Sequence, residues 1–248
     1  MDDLDLTVES GQHVAVIGPS GAGKSTIIRL LNATVAPTSG SVRVLDAELA
    51  GASARALRAV QRRIGTVHQQ FHLVGELQVV HNVNAGRLAE WSLWRSLTSL
   101  LRPRDVPTAR AALDRVGLAD RTTQRTSTLS GGEQQRVAIA RVLVQRPALV
   151  LADEPVASLD PARGAEIVAL LHEVCRESGA TLLSSLHDVE LARRGFDRVI
   201  GVREGRVRFD TAPDRLTTTM TDALYELAPT PHRPEPGPGP GPPTGRRC

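Results

Sequence analysis

The sequence predicts an α/β domain: a largely parallel β-sheet flanked by helices, with a block of helices inserted into it. Three observations carry that expectation. Short apolar runs alternate with amphipathic helical stretches, the order that builds parallel strands joined by crossover helices. One long interval, 76–128, shows helical periodicity and no clear strand. Finally, 248 residues with 41% apolar and only 2% aromatic content can close a sizeable core, but must build it from Val, Leu, Ile and Ala.

Taken in order, "LDLTV" (4–8) alternates like a half-buried strand, and "HVAVIG" (13–18) is a buried strand ending in glycine. Residues 24–33 read as a helix, 41–45 as a strand, 53–63 as a helix and 64–67 as a strand. The helical block follows, with breaks at Pro103 and Pro107. In "SGGEQQRVAIARVLVQ" (130–145), Ser130 and Glu133 have the spacing of a capping box, so a helix starts there. We place the helical subdomain at about 76–146. "ALVLA" (148–152) is a buried strand, and Pro161 opens a helix over 161–178. Strands at 180–186, 198–202 and 206–210 follow, the last two forming a hairpin through "REG", and a short helical end closes a domain over 1–228. The Pro/Gly-rich tail 229–248 holds too little apolar surface to offset its ordering entropy and reads as disordered.

Composition excludes several classes. Net charge is only +3, the arginines are scattered, and few aromatics interleave them, which argues against nucleic acid as a partner. Cys175 and Cys248 offer neither a disulfide framework nor metal-ligand spacing, so a reduced, cytoplasmic setting is expected. No apolar run reaches membrane-span length, and the acidic, alternating N-terminus is no signal peptide.

The chemistry begins at "GPSGAGKST" (18–26). It fits G-x-x-x-x-G-K-[ST] between a predicted strand and a predicted helix, the context that motif requires. The loop Gly18, Pro19, Ser20, Gly21, Ala22 and Gly23 would turn its backbone N–H groups onto phosphate oxygens. The helix N-terminus adds partial positive charge. Lys24 would reach the β- and γ-phosphates, Ser25 would offer a hydroxyl to Mg²⁺, and Thr26 would donate near the α-phosphate. Lys24 is also the only lysine in the chain; every other basic position is arginine. A compact ammonium on a thin stem fits a tight loop where a planar fork does not. Further on, "ALVLADEP" (148–155) ends an apolar strand in two carboxylates. Asp153 is suited to hold Mg²⁺, and Glu154 to polarise an attacking water.

"TLSGGEQQRVAIAR" (128–141), together with these two motifs, resembles the nucleotide-binding subunit of ABC transporters. The resemblance covers about 4–227 and implies the ABC-type P-loop NTPase sheet domain with its inserted helical subdomain. It implies a head-to-tail dimer of two copies, with ATP held between Lys24 of one and Ser130, Gly131 and Gly132 of the other. It implies that Gln69 contacts Mg²⁺ and the attacking water, with Gln70 as the neighbouring candidate and His68 where the family often has Phe. It places Asp160 of "SLD" (158–160) across the dimer interface and His187 at the γ-phosphate. Glu154, His187, Gln69 and Asp160 form the implied catalytic set; Ser25, Gln69 and Asp153 the implied Mg²⁺ set; ATP and Mg²⁺ the implied cofactors.

"HNVNAGRLAEWSLWRSLTSLL" (81–101), "QQFHLV" (69–74) and "SLHDVELARR" (185–194) resemble phosphonate importer ATPases in particular. That implies transmembrane permease subunits, indirect work with a periplasmic or lipid-anchored solute-binding protein, and a peripheral place on the cytoplasmic face of the inner membrane. Two alternatives stay open: a non-transport ABC ATPase of intracellular phosphonate degradation, or an importer ATPase for another small solute. Trp91 and Trp94, three apart and so expected on one helical face, are either a surface for a permease helix or part of the subdomain core. Family members usually carry an aromatic residue that stacks on adenine ahead of the phosphate loop. None precedes Phe71 here, so either the coding start lies further upstream, the favoured expectation, or ATP is bound without that stack.

Overall fold

The structure is a computed structural model that describes residues 4–101, 103–157 and 159–226. The elements are β1 (His13–Ile17), α1 (Lys24–Leu31), β2 (Arg43–Val44), β3 (Ala47–Glu48), α2 (Ala54–Gln61), β4 (Ile64–His68), α3 (Val79–Asn84), α4 (Leu93–Leu101), α5 (Val106–Arg115), α6 (Gly131–Gln145), β5 (Leu149–Asp153), α7 (Pro161–Ser178), β6 (Thr181–Leu186), α8 (Val189–Arg193), β7 (Arg198–Arg203), β8 (Arg206–Thr211) and α9 (Thr218–Tyr225). The main sheet runs β4-β5-β6-β1-β7-β8. Its first five strands are parallel, and β8 returns antiparallel to β7. All five parallel strands therefore end on one edge of the sheet.

Alternation within each strand divides the core into two layers. Ala15, Ile17, Val150, Ala152, Leu182 and Leu186 face the layer that contains α6 and α7. Val14, Val16, Leu149, Leu151, Leu183 and Ile200 face Ile27 and Ile28 of α1 and Val60 of α2. Both faces are covered, which is why these strands read as continuous apolar runs rather than half-polar ones. Among the described residues, the interval between β4 and β5 holds helices and only an isolated bridge, Gln78 to Arg125. Val79, Val80 and Val83 of α3 and Ala109 and Leu113 of α5 join Val137 and Ala140 of α6 in the larger layer.

Three expectations are corrected. Residues 4–8 form no strand: Leu4, Leu6 and Val8 are half-buried and Asp5 and Thr7 exposed, but no ladder joins them to the sheet. Alternation reports which side is buried, whereas a strand also needs a paired neighbour. Here the Thr7 carbonyl accepts from the Arg198 guanidinium at 2.6 Å instead. Residues 41–45 shrink to the two-residue β2, paired with β3, because Leu45 and Asp46 take positive φ of 50° and 67° and turn the chain at once. Trp91 and Trp94 do not share a helical face, since α4 starts only at Leu93. Trp91 is buried with the Arg95 guanidinium 5.0 Å from its ring centre, while Trp94 is 79% exposed. The expectation for 229–248 lies outside the described residues.

Candidate nucleotide site

Strand register assembles the site. His68 of β4 lies opposite Asp153 of β5, Asp153 opposite Ser185 of β6, and Ser185 opposite Val16 of β1. One row across the sheet thus carries the first acidic residue and the serine near its centre. The phosphate loop leaves β1 just beyond it. Crevices outside the carboxyl ends of parallel strands are where α/β sheets bind ligands.

Gly18 leaves β1 with φ 155°, and a Cβ there would sit 2.0 Å from the Val202 carbonyl oxygen. Only glycine fits so close an approach. Gly23, at φ 107°, caps α1, so Lys24 opens that helix. Lys24 is 4% exposed. Its Nζ donates to the carbonyls of Gly18 at 2.8 Å and Pro19 at 3.2 Å and lies 3.6 Å from Glu154 Oε1. Burial lowers its pKa, while the carboxylates of Glu154 and Asp153 act the other way and favour the ammonium. Ala22 is buried, Ser25 half-buried, and Ser20 and Thr26 exposed.

Asp153 Oδ1 accepts from Ser25 Oγ at 3.0 Å and from Ser185 Oγ at 2.8 Å. Ser185 Oγ in turn accepts from the Glu154 backbone N–H at 2.9 Å. Glu154 is held at φ 48°, a left-handed conformation that costs a glutamate roughly 1–3 kcal/mol. The turn brings its Oε1 within 2.6 Å of His187 Nε2. Lys24, Glu154 and His187 therefore meet around one carboxylate oxygen. The donors fit Mg²⁺, which the resemblance implies: hard oxygens, with a single carboxylate already oriented by the Ser25 hydroxyl. No group of three or more His, Cys, Asp or Glu side chains is placed to hold a metal among the described residues, so phosphate and water oxygens would have to complete the shell.

Gln69 follows directly on His68, opposite Asp153, and is exposed, as is Gln70. Asp160 caps α7, accepting from the Arg163 N–H at 3.1 Å. It lines a cleft of about 180 Å³ together with Glu154, Leu159, Leu186 and His187. Ser130 is exposed and caps α6 in a full capping box: its Oγ and N–H both donate to Glu133 Oε2 at 2.8 Å. Those bonds from Ser130, the backbone one foremost, lower the Glu133 pKa. Among the described residues, no hydrogen bond or ion pair joins Ser130, Gly131 or Gly132 to the Lys24 loop. The single chain thus gathers the Lys24, Asp153, Glu154 and His187 half and leaves the Ser130 half apart.

Three contributors were not anticipated. Ser185 ties the two acidic residues together; a pair of serines inside the otherwise apolar run "TLLSSL" was its available signal. Arg141 of α6 donates to the carbonyls of Phe71 at 3.1 Å and His72 at 3.0 Å, fixing the turn that follows Gln69. Tyr225 of α9 donates to the His187 carbonyl at 3.2 Å. Nothing local in the sequence marks either of the last two.

The family model for ABC transporters matches residues 1–157. The phosphonates import ATP-binding protein of Anaeromyxobacter dehalogenans (strain 2CP-C) is 50% identical over 223 residues, 90% of this chain but 44% of that protein. The phosphonates import ATP-binding protein of Thiobacillus denitrificans is 48% identical over 223 residues, 90% of this chain and 85% of that one. Among solved structures, the dimeric ATP-binding cassette MJ0796 bound to ADP and Pi superposes with a TM-score of 0.70 at 31% identity, covering 84% of this chain and 88% of that one. CbiO1 of Clostridium perfringens, part of the cbiONQ transporter complex, reaches 0.73 at 29% identity, covering 85% and 81%.

Proposed function

The chain belongs to the ABC transporter family, and from that premise we propose that it is the ATP-hydrolysing subunit of a phosphonate importer. The observation that carries the catalytic reading is the convergence of Lys24 and His187 on Glu154, with Asp153 bound to Ser25 beside it. The import reading rests on the similarity to phosphonate import proteins.

In this reading the loop Gly18–Gly23 wraps the phosphates, and Lys24 exchanges its bonds with the Gly18 and Pro19 carbonyls for β- and γ-phosphate oxygens. Ser25, Asp153 and Gln69 would hold Mg²⁺, which would neutralise phosphate charge. Glu154 accepts a hydrogen bond from the attacking water in line with the γ-phosphate, and His187, beside Glu154, contacts that phosphate. Ser130, Gly131 and Gly132 of a second copy close the site, because a helix N-terminus with free N–H groups is an anion site and this one is exposed. Asp160 acts across the same interface. The helical subdomain, with outward Trp94, faces the permease on the cytoplasmic side of the membrane. No helix among the described residues is long and apolar enough to cross a membrane, consistent with a peripheral subunit.

The test is ATP hydrolysis by the chain reconstituted with its neighbouring permease and binding protein. Stimulation by a phosphonate, and not by other small anions, is expected. Capture of soluble partners only, with no permease, would favour the degradation reading.

A further inference from the structure

The chain has one tyrosine, Tyr225, at the end of α9. Its ring packs against the larger core layer, and its neighbour Leu224 is 1% exposed. Arg203 of β7 donates to the Ala223 carbonyl at 2.6 Å, pinning the last turn of α9 to the sheet. From this fixed base the hydroxyl donates to the backbone carbonyl of His187 at 3.2 Å. One phenol thus anchors the segment that carries His187.

That segment is short. β6 ends at Leu186, and Asp188 already caps α8 by accepting from the N–H groups of Glu190 at 2.7 Å and Leu191 at 3.2 Å. His187 is the single residue between them. Its imidazole is tied to Glu154 and its carbonyl to Tyr225. Burial, with the nearby Asp188 carboxylate adding to it, raises the phenol pKa against the opposing Gly18 backbone, so the hydroxyl stays a donor through the working pH range.

We propose that Tyr225 is a positioning residue for ATP hydrolysis: its hydroxyl holds the His187 carbonyl, and so sets where the imidazole stands relative to Glu154 and the γ-phosphate. The inference rests on the reading of His187 as the γ-phosphate contact. It makes α9, far along the chain from every motif, part of the catalytic frame.

Tyr225→Phe keeps the ring and its packing and removes only the O–H. Steady-state MgATP hydrolysis by the full chain should show kcat lowered about five- to tenfold, the rate equivalent of one hydrogen bond to a positioned group, with KM for MgATP and the melting temperature nearly unchanged. Single-turnover rates in a His187→Ala background separate positioning from general loosening. There Tyr225→Phe should add less than about twofold. Three results would overturn the inference. Wild-type turnover by Tyr225→Phe while His187→Ala is impaired removes Tyr225 alone and leaves the proposed function standing. An equal fractional loss in both backgrounds assigns Tyr225 a merely structural part. Wild-type turnover by His187→Ala removes His187 from the reading, and Tyr225 with it.

Discussion

Lys24 is the only lysine among the chain's basic residues, and its surroundings supply the reason. Its ammonium is buried under two loop carbonyls with a carboxylate 3.6 Å away. A guanidinium is wider and flat and cannot take the same three directions. Lys24→Arg should therefore weaken ATP binding by at least about tenfold, or about 1.4 kcal/mol, in equilibrium titration with a fluorescent ATP analogue. Retained affinity would show that the loop tolerates the fork. Glu154→Gln keeps shape and bonding to the Ser185 hydroxyl through the backbone, yet loses the carboxylate proposed as the base. Turnover should fall about a hundredfold or more while ATP stays bound, and unchanged turnover would take Glu154 out of catalysis. Lys24, Asp153, Glu154 and His187 were legible because each belongs to a contiguous motif. Ser185 and Tyr225 were not, since their bonds join residues 32 and 38 positions apart and depend on register and helix docking.

Among the elements, α6 was the most legible, because its start is chemically explicit. Ser130 and Glu133 bond reciprocally, as their spacing implied. Glu133→Ala should cost about 1 kcal/mol of stability and lower the melting temperature by about 2–4 °C; calorimetry on the full chain checks this, and no shift would mean the box is idle. β1, β5 and β6 were legible as apolar runs because both their faces are buried. The stretches 4–8 and 41–45 were misread because alternation alone does not supply a ladder partner or foresee two successive left-handed residues. The five-residue α8 escaped notice, being too short for periodicity to register; its cap, Asp188, was the only available sign.

At the scale of the molecule, the sheet has a chemical end and a structural end. At the structural end, His13 and His172 are buried with their Nδ1 atoms 2.7 Å apart, within hydrogen-bond distance. Burial, with His13 and Arg176 adding repulsion, pushes His172 down to about 4 from its ordinary 6.5. The unfolded chain takes up a proton there as pH falls through 6.5, and the folded chain does so only near 4. Stability is thus fully present above about pH 6.5 and lost progressively toward pH 4. Urea midpoints should fall across that window, and His172→Gln should flatten the fall; an unaltered slope would place the acid sensitivity elsewhere. At the chemical end, Lys24 and His187 meet at Glu154 with Asp153 alongside, while Ser130 stands apart and exposed. In the proposed reading two copies share each ATP. Mixing two inactive variants tests it most directly: Lys24→Ala, and Ser130→Arg, which puts a bulky side chain over the helix N-terminus. A mixed dimer would hold one intact site, Lys24 from one copy facing Ser130 from the other. With random pairing, about a quarter of all sites should be whole, so ATP hydrolysis should appear on mixing where neither variant alone shows any. A mixture as inactive as its components would contradict the shared site.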